Sequence, residues 1–185
     1  MVDEIIFNAE EAMESRIDSL AHDFDNIRTG RASAKNIEKI TVEYYGVQTP
    51  ITQVASVKVP EAHMLLIEPW DKGLVNPICK AIQASDLGIT PSNDGHSIRL
   101  PFPQPTEERR RELVMQCGKY AEEAKISIRN ARRDANSKLE KARKASDITE
   151  DDERRAQNDV QKLTDKYVAK IDELLSAKEA EVMEV

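Results

Sequence analysis

The feature that most constrains the fold is a long helical pattern in the second half of the chain. Apolar residues recur there at steps of three and four, and they are Leu113, Cys117, Tyr120, Ala124, Ile128, Ala131, Ala135, Leu139 and Ala142. This spacing lines one face of a helix. It predicts a helix of about 40 residues, a rod roughly 60 Å long at 1.5 Å per residue. Because such a helix cannot bury its own apolar face, it needs partner helices.

Two further segments show the same helical period. The first segment carries Ile6, Ala9, Met13, Ile17, Leu20, Phe24 and Ile27, and the last carries Ala156, Val160, Leu163, Tyr167, Ile171 and Leu174. Their spacing predicts two more amphipathic helices. Three apolar faces that cover one another form a three-helix bundle, and this bundle is discontinuous in sequence.

Helix ends are marked by local signals. We expect Gly30, after Thr29, to end the first helix, because glycine accepts the left-handed backbone of a C-cap. Thr106 follows Pro105 and can cap the long helix, with acidic residues next to it. Thr149 precedes a run of four acidic residues and marks the start of the third helix.

The segment between the first two helices, residues 31–104, has a different character. It holds seven of the eight prolines and several β-branched alternations. We predict strands at about 40–45, 54–59, 64–68 and 97–100, and a helix at about 74–85. The sequence therefore predicts an α+β protein, with a three-helix bundle (residues 1–30 and 105–185) and a small inserted, β-rich α/β domain (residues 31–104).

Two local features of the insert can also be interpreted. Tyr44 and Tyr45 are adjacent, so a strand at 40–45 would point them to opposite faces of its sheet. Asn93-Asp94-Gly95 is typical of a turn and not of a phosphate-binding loop.

Two short connections join the insert to the bundle, at 30–31 and at 101–105. Paired linkers let one body rotate against the other while preventing their separation, and prolines keep the returning connection extended. We therefore predict a hinge, and its residues are Gly30, Arg31, Pro103, Gln104 and Pro105. A rigid interface between the two bodies is the alternative.

Charge is distributed unevenly along the chain. The net charge is −7, yet residues 106–148 sum to +4, whereas 1–29 sum to −6, 30–105 to 0 and 149–185 to −5. The local field, and not the net charge, determines where a polyanion docks. The long helix is therefore the candidate site for an RNA partner.

Cations on that helix share one face. On a helical wheel Lys125, Arg129, Arg132, Asn136 and Arg143 fall within roughly 60° of one another, with Arg133 beside them. Arginine suits bidentate phosphate contacts, and the face lacks the regular i,i+4 acidic partners that would neutralise it. The alternative is a solvated charged face that only keeps the helix in solution.

The sequence shows no candidate catalytic site. Cys79 and Cys117 lack the spacing of a zinc or redox site and are expected to be buried thiols, and the three histidines are scattered. No nucleotide-binding or nucleophile motif occurs. The acidic run from Glu150 to Glu153 is explained by helix capping. We expect no metal, no cofactor, no enzyme activity and no membrane-spanning segment, in a soluble cytoplasmic protein.

Several motifs in the order found here resemble the ribosome recycling factor family, and the resemblance spans nearly the whole chain. The segments that carry it are 27–33 (IRTGRAS), 42–46 (VEYYG), 106–110 (TEERR), 129–136 (RNARRDAN) and 159–165 (DVQKLTD). The resemblance implies an L-shaped, two-domain monomer. Such a protein enters the ribosome after termination and, with elongation factor G and GTP hydrolysis by that partner, separates the subunits and releases mRNA and tRNA.

The resemblance also implies roles for particular residues. By position, Arg129, Arg132 and Arg133 would grip large-subunit ribosomal RNA, Arg28 and Arg31 would lie near the hinge and the RNA side, and the insert would swing under the push of elongation factor G. No DNA or membrane partner is implied.

Two other functions are compatible with the residues alone. A helical scaffold or adaptor would bind a protein partner through its long stripe. A hydrolase would use the acidic run at Glu150 to Glu153, for which capping is the simpler explanation.

Overall fold

The computed structural model of the protein describes residues 1–184 and divides them into two compact units. Residues 1–28 and 107–184 form the first unit, here called the bundle, and residues 29–106 form the second, here called the insert. The bundle contains only helices, and the insert combines short helices with two small antiparallel sheets. The α+β class predicted from the sequence is confirmed.

Three long helices build the bundle: α1 (Val2–Asp25), α4 (Glu107–Lys144) and α5 (Glu150–Met183). The predicted rod of about 40 residues is a helix of 38 residues. Four alanines lie among the buried residues of α4, and they are Ala121, Ala124, Ala135 and Ala142. Small side chains at these positions allow the three helices to approach closely.

The core of the bundle shows how the helices run. One cluster joins Leu20 and Phe24 of α1 to Leu113 and Cys117 of α4 and to Ile171 of α5. A second cluster joins the beginning of α1, through Ala9, to the end of α4 and the beginning of α5, through Leu139 and Val160. Helix α4 therefore runs antiparallel to both of its neighbours, and each fully buried Leu or Ile contributes about 1.5–3 kcal/mol.

Helix α5 starts where the sequence predicts, and its first turn is closed by a capping box. The Thr149 hydroxyl accepts a hydrogen bond from the Asp152 amide at 3.1 Å, and the Asp152 carboxylate accepts one from the Thr149 amide at 3.1 Å. The bonds from the Thr149 hydroxyl and amide lower the pKa of Asp152. The acidic run after Thr149 thus has a structural explanation at the positive end of the helix.

The predicted end of the first helix is wrong. Helix α1 ends at Asp25, with Asn26 as its C-cap, four residues before Gly30. Gly30 does take a left-handed φ of +76°, but for another reason: a Cβ at this position would lie 2.9 Å from Cδ of Pro105 and 3.0 Å from the carbonyl oxygen of Pro103. Glycine is therefore needed here because the two linkers approach each other closely, and not because a helix ends.

The insert contains six strands and two short α-helices. The strands are β1 (Thr41–Tyr44), β2 (Val47–Pro50), β3 (Ala55–Glu61), β4 (Met64–Pro69), β5 (Ser92–Asn93) and β6 (Ile98–Pro101); the helices are α2 (Ile51–Val54) and α3 (Val75–Ala84). Strands β1 and β2 form a hairpin, and the other four form a sheet in the order β3-β4-β6-β5, with every pairing antiparallel.

Alternation along the strands builds the core of the insert. In β4 the buried residues are Leu65 and Ile67, and in β6 they are their register partners Leu100 and Ile98. Helix α3 buries Val75, Ile78, Cys79 and Ile82, the spacing of one helical face, in the same cluster. The insert thus has an apolar core of its own.

The sequence predicts β1, β3, β4, β6 and α3 to within two residues but misses β2, β5 and α2. The prediction for the tyrosine pair is wrong: β1 ends at Tyr44, and Tyr45 lies in the hairpin turn with φ +49°. The two rings contact each other edge to face, with their centroids 4.5 Å apart. Since a turn residue is not pleated, the alternation of a strand does not apply to Tyr45.

Other sequence predictions concern the thiols and the turn. Cys79 and Cys117 are both free and buried, as expected. Gly95 has φ +87° in the predicted turn. Among residues 1–184, no helix is long and apolar enough to cross a membrane.

Asp94 makes this turn sensitive to acid. Its carboxylate accepts hydrogen bonds from the amides of Ser97 (2.8 Å) and His96 (2.9 Å), and these bonds lower its pKa from 3.8 to about 2. A lowered pKa in the folded state gives a contribution to stability that is complete above pH 3.8 and is lost as the pH falls towards 2.

We therefore expect Asp94→Asn to reduce the acid-induced loss of stability of the insert between pH 4 and 2, because an amide does not titrate. Urea unfolding followed by the fluorescence of Trp70, the single tryptophan, measures this. The matched control is Asp86→Asn, at another exposed aspartate of the insert. Equal acid dependence in wild type and Asp94→Asn would contradict the prediction.

Candidate nucleic-acid interface

The predicted cation stripe lies at the edge of the exposed face of α4, where α4 meets α5. Lys125 Nζ lies 2.6 Å from Oδ1 of Asp172, and its side chain is only 19% exposed. Arg143 Nε lies 2.5 Å from Oε2 of Glu153, a carboxylate that is 12% exposed. The expectation of an unneutralised face is therefore wrong for these two residues, because their partners come from another helix and not from i,i+4 positions.

Arg132 is held by a side-chain network from α5. Its Nη1 donates to Oε1 of Gln161 at 3.2 Å, and Nε2 of Gln161 donates to Oδ1 of Asp165 at 2.9 Å. Sequence reasoning missed Gln161 as a functional residue. The sequence signal that could have indicated Gln161 is the helical period of α5, which puts Gln161 and Asp165 on one face of that helix. This network limits the conformations of Arg132 without neutralising it, since its direct partner is an uncharged amide.

Arg129 and Arg133, which are exposed, form a cationic group with the half-buried Arg132, here called the arginine cluster. Arg133 is exposed, and Arg129 Nη1 lies 3.6 Å from Oε1 of Glu122, a distance that makes only a weak ion pair. The three arginines fall within one and a half turns of α4. Guanidinium groups so placed can make several phosphate contacts at once.

Asn136 belongs to the supporting layer of this surface. It is half-buried, and its Oδ1 is buried without a hydrogen-bond partner among the described residues. An amide oxygen in that position faces the protein, so that only the amide nitrogen could reach outward. The structure thus distinguishes Asn136 and the ion-paired Lys125 from the arginine cluster with which the sequence grouped them.

The structure assigns the two arginines near the predicted hinge to different units. Arg28 is the last residue of the first segment of the bundle, and Arg31 is the third residue of the insert. Both are exposed.

These features define a class of protein: a long three-helix bundle, interrupted after its first helix by a small α+β insert, with arginines exposed along its middle helix. The model of the ribosome recycling factor family matches residues 20–183. The chain belongs to the ribosome recycling factor family.

Individual relatives and solved structures agree with this assignment. The ribosome-recycling factor of Bacillus pumilus (strain SAFR-032) is 52% identical over 185 residues and covers all of both chains. That of Caldicellulosiruptor bescii is 55% identical over 177 residues, 96% of each chain. A solution structure of ribosome recycling factor matches with a TM-score of 0.76 and 40% identity, over 100% of this chain and 98% of that chain.

A second structural match comes from a ribosome complex. It describes models of the Thermus thermophilus ribosome recycling factor and the Escherichia coli elongation factor G, both bound to the Escherichia coli post-termination complex. The match has a TM-score of 0.65 at 38% identity and covers all of both chains.

Replacing an ion-paired arginine of α4 should affect stability more than replacing an exposed one. We expect Arg143→Met to lower the free energy of unfolding of the bundle by about 1–2 kcal/mol, because it leaves the carboxylate of Glu153 buried without its cation. Arg133→Met should change it by less than about 0.5 kcal/mol, because Arg133 is exposed. Urea denaturation followed by circular dichroism at 222 nm compares the two variants, and equal losses would contradict this division.

Proposed function

We propose that this protein recycles ribosomes: it binds the large subunit of the post-termination ribosome through the arginine cluster and, with elongation factor G, promotes separation of the subunits and release of mRNA and tRNA. The observation that carries the proposal is the cationic group of Arg129, Arg132 and Arg133 on the continuous helix α4, in a chain of this family. The relative seen on a post-termination complex together with elongation factor G supports it.

Binding of RNA by such a surface is electrostatic and geometric. Side chains on one face of a continuous helix keep fixed spacings, so they can meet phosphates that a folded RNA also holds at fixed spacings. Arg132, restrained by Gln161, loses less side-chain freedom on binding than a free arginine does. We assign the direct contacts to the arginine cluster, with Lys125 and Asn136 at its edge and Arg28 and Arg31 as further contacts near the linkers.

The energy for separating the ribosomal subunits would come from another protein. We propose that the protein has no hydrolytic activity and needs no metal or cofactor, and that GTP hydrolysis by elongation factor G supplies the energy. The bundle anchors the protein, and the insert moves relative to it about the two connections between the units, near the predicted hinge residues Gly30, Arg31, Pro103, Gln104 and Pro105. The protein would act as a monomer in the cytoplasm, without a DNA or membrane partner.

The arginine cluster should account for much of the salt dependence of ribosome binding. We expect Arg132→Ala to weaken co-sedimentation with large subunits by about tenfold, and the Arg129→Ala, Arg132→Ala double variant to weaken it further. Each lost phosphate contact should lower the slope of log K against log salt by about 0.7–0.9.

Lys138 provides a charge-matched control. It is exposed on α4 but lies roughly 120–180° around the helix from each of the three arginines. Lys138→Ala removes one positive charge from the same helix and should leave the binding nearly unchanged. Equal effects of the lysine and arginine variants would mean that only the net charge of the protein matters, and the proposed surface would be wrong.

A further inference from the structure

We infer that the turn between β3 and β4, through His63 and Ala62, clamps both linkers to the insert, so that the pivot lies just outside the linkers, at residues 28–29 and 106–107, and not at the hinge residues predicted from the sequence. His63 is then a positioning residue for ribosome recycling, although the sequence assigned it no role. The functional part of this inference rests on the proposed function; the structural part does not.

The first linker is fixed to this turn by two hydrogen bonds. The Ala32 amide donates to the carbonyl oxygen of Ala62 at 2.8 Å. One residue further along the turn, Nδ1 of His63 lies 2.8 Å from the carbonyl oxygen of Gly30, so a proton on Nδ1 is donated to that oxygen. Bonds on both sides of Arg31 hold this linker along the turn.

The second linker is attached to the same turn. The Phe102 amide donates to the backbone carbonyl oxygen of His63 at 2.7 Å. The Phe102 side chain is buried in the core of the insert, and the preceding residue, Pro101, is paired with Met64 at the end of the sheet. This linker therefore continues the sheet and is not a free tether.

The two linkers also contact each other within the insert. Gly30 lies so close to Pro103 and Pro105 that an added Cβ would be within 3.0 Å of both residues. Thr29, which is buried, accepts a hydrogen bond from the Arg31 amide at 3.4 Å. Rotation inside residues 30–32 or 101–105 would have to break several of these contacts together.

The second ring nitrogen of His63 supports a specific role for the first. Nε2 is buried and has no hydrogen-bond partner among the described residues. A buried nitrogen without a partner is unfavourable, and an apolar side chain would avoid it. The bond from Nδ1 to Gly30 is thus the polar interaction that explains a histidine at this position.

The mechanical consequence concerns how motion is transmitted. If the linkers belong to the insert, a push on the insert turns the linkers with it, and the rotation is concentrated in a few bonds at the boundary with the bundle. If the linkers were themselves flexible, the same push would be absorbed by their bending. The clamp therefore couples displacement of the insert to the bundle.

Hydrogen exchange measured by NMR tests the clamp in the full chain. In the wild type, the amides of Ala32 and Phe102 should exchange as slowly as sheet amides such as that of Leu66. His63→Ala should speed exchange at Ala32 by about fivefold to tenfold, the effect of one lost hydrogen bond, and leave Leu66 unchanged. His63→Asn, whose amide can donate from nearly the position of Nδ1, should restore slow exchange at Ala32.

Two further variants complete the set. His96→Ala is the matched control, because His96 is an exposed histidine in another turn of the insert. Gly30→Ala disturbs the same clamp without changing His63, because its Cβ clashes and its φ is positive. It should speed exchange at Ala32 even if His63→Ala fails to fold.

The functional readout is subunit splitting with elongation factor G and GTP, alongside binding to large subunits. His63→Ala should slow splitting several-fold with binding within about twofold of the wild type, and His63→Asn should restore the rate. A defect in folding alone would reduce both. This separation of splitting from binding is what a positioning role predicts.

Each outcome has a definite meaning. Rapid exchange at Ala32 and Phe102 in the wild type would overturn the clamp, and faster exchange in His63→Ala with normal splitting would overturn its role in recycling. Failure of the wild type to split ribosomes would instead contradict the proposed function. The exchange data would still decide the clamp in that case.

Discussion

The structure depends on the apolar core of the bundle, whose helix α1 is separated in the sequence from α4 and α5 by the insert. Helix α1 buries Leu20 and Phe24 against α4 and α5, which lie beyond the insert in the sequence. A flexible connection of that length would add to the entropy lost when the bundle forms. Because the insert has its own core and brings Gly30 next to Pro105, it acts as a short folded connection that lowers this entropic cost.

Helix α4 uses its positively charged residues for two purposes. Its core-facing stripe sets which cations lie at the boundary with α5, and there Lys125 and Arg143 are used in ion pairs. The arginine cluster lies between these two residues along the helix and keeps its charge available. Ion pairs on both sides of the cluster join α4 to α5, so they help to hold the guanidinium groups in a fixed orientation.

Much of the fold was accessible from the sequence because helical periods are strong signals over long segments. The stripe from Leu113 to Ala142 and the capping box at Thr149 predicted α4 and the start of α5 closely. Short elements were missed for the opposite reason: β5 has two residues and α2 has four, too few to show a period. Gly30 misled the prediction of α1, because a left-handed glycine marks any tight backbone approach and not only a C-cap.

The candidate surface was partly predictable. The wheel placed the cations on one side of α4, but a single helix cannot show which of them face a neighbour, so Asp172 and Glu153 were not recognised as partners. Gln161 and His63 were missed because their roles depend on contacts between residues far apart in the sequence. A glutamine on a helix and a histidine in a turn carry no local pattern that distinguishes them.

The closely packed alanines of α4 have an evolutionary consequence. Each residue of a helix turns the following ones by about 100°, so inserting or deleting one residue between Lys125 and Arg143 would move every later alanine out of the core and every later arginine off its edge. The buried alanines and the charged edge therefore both depend on the same number of residues between Lys125 and Arg143. Substitutions on the exposed face of this helix leave that common spacing intact, whereas a change of length within it does not.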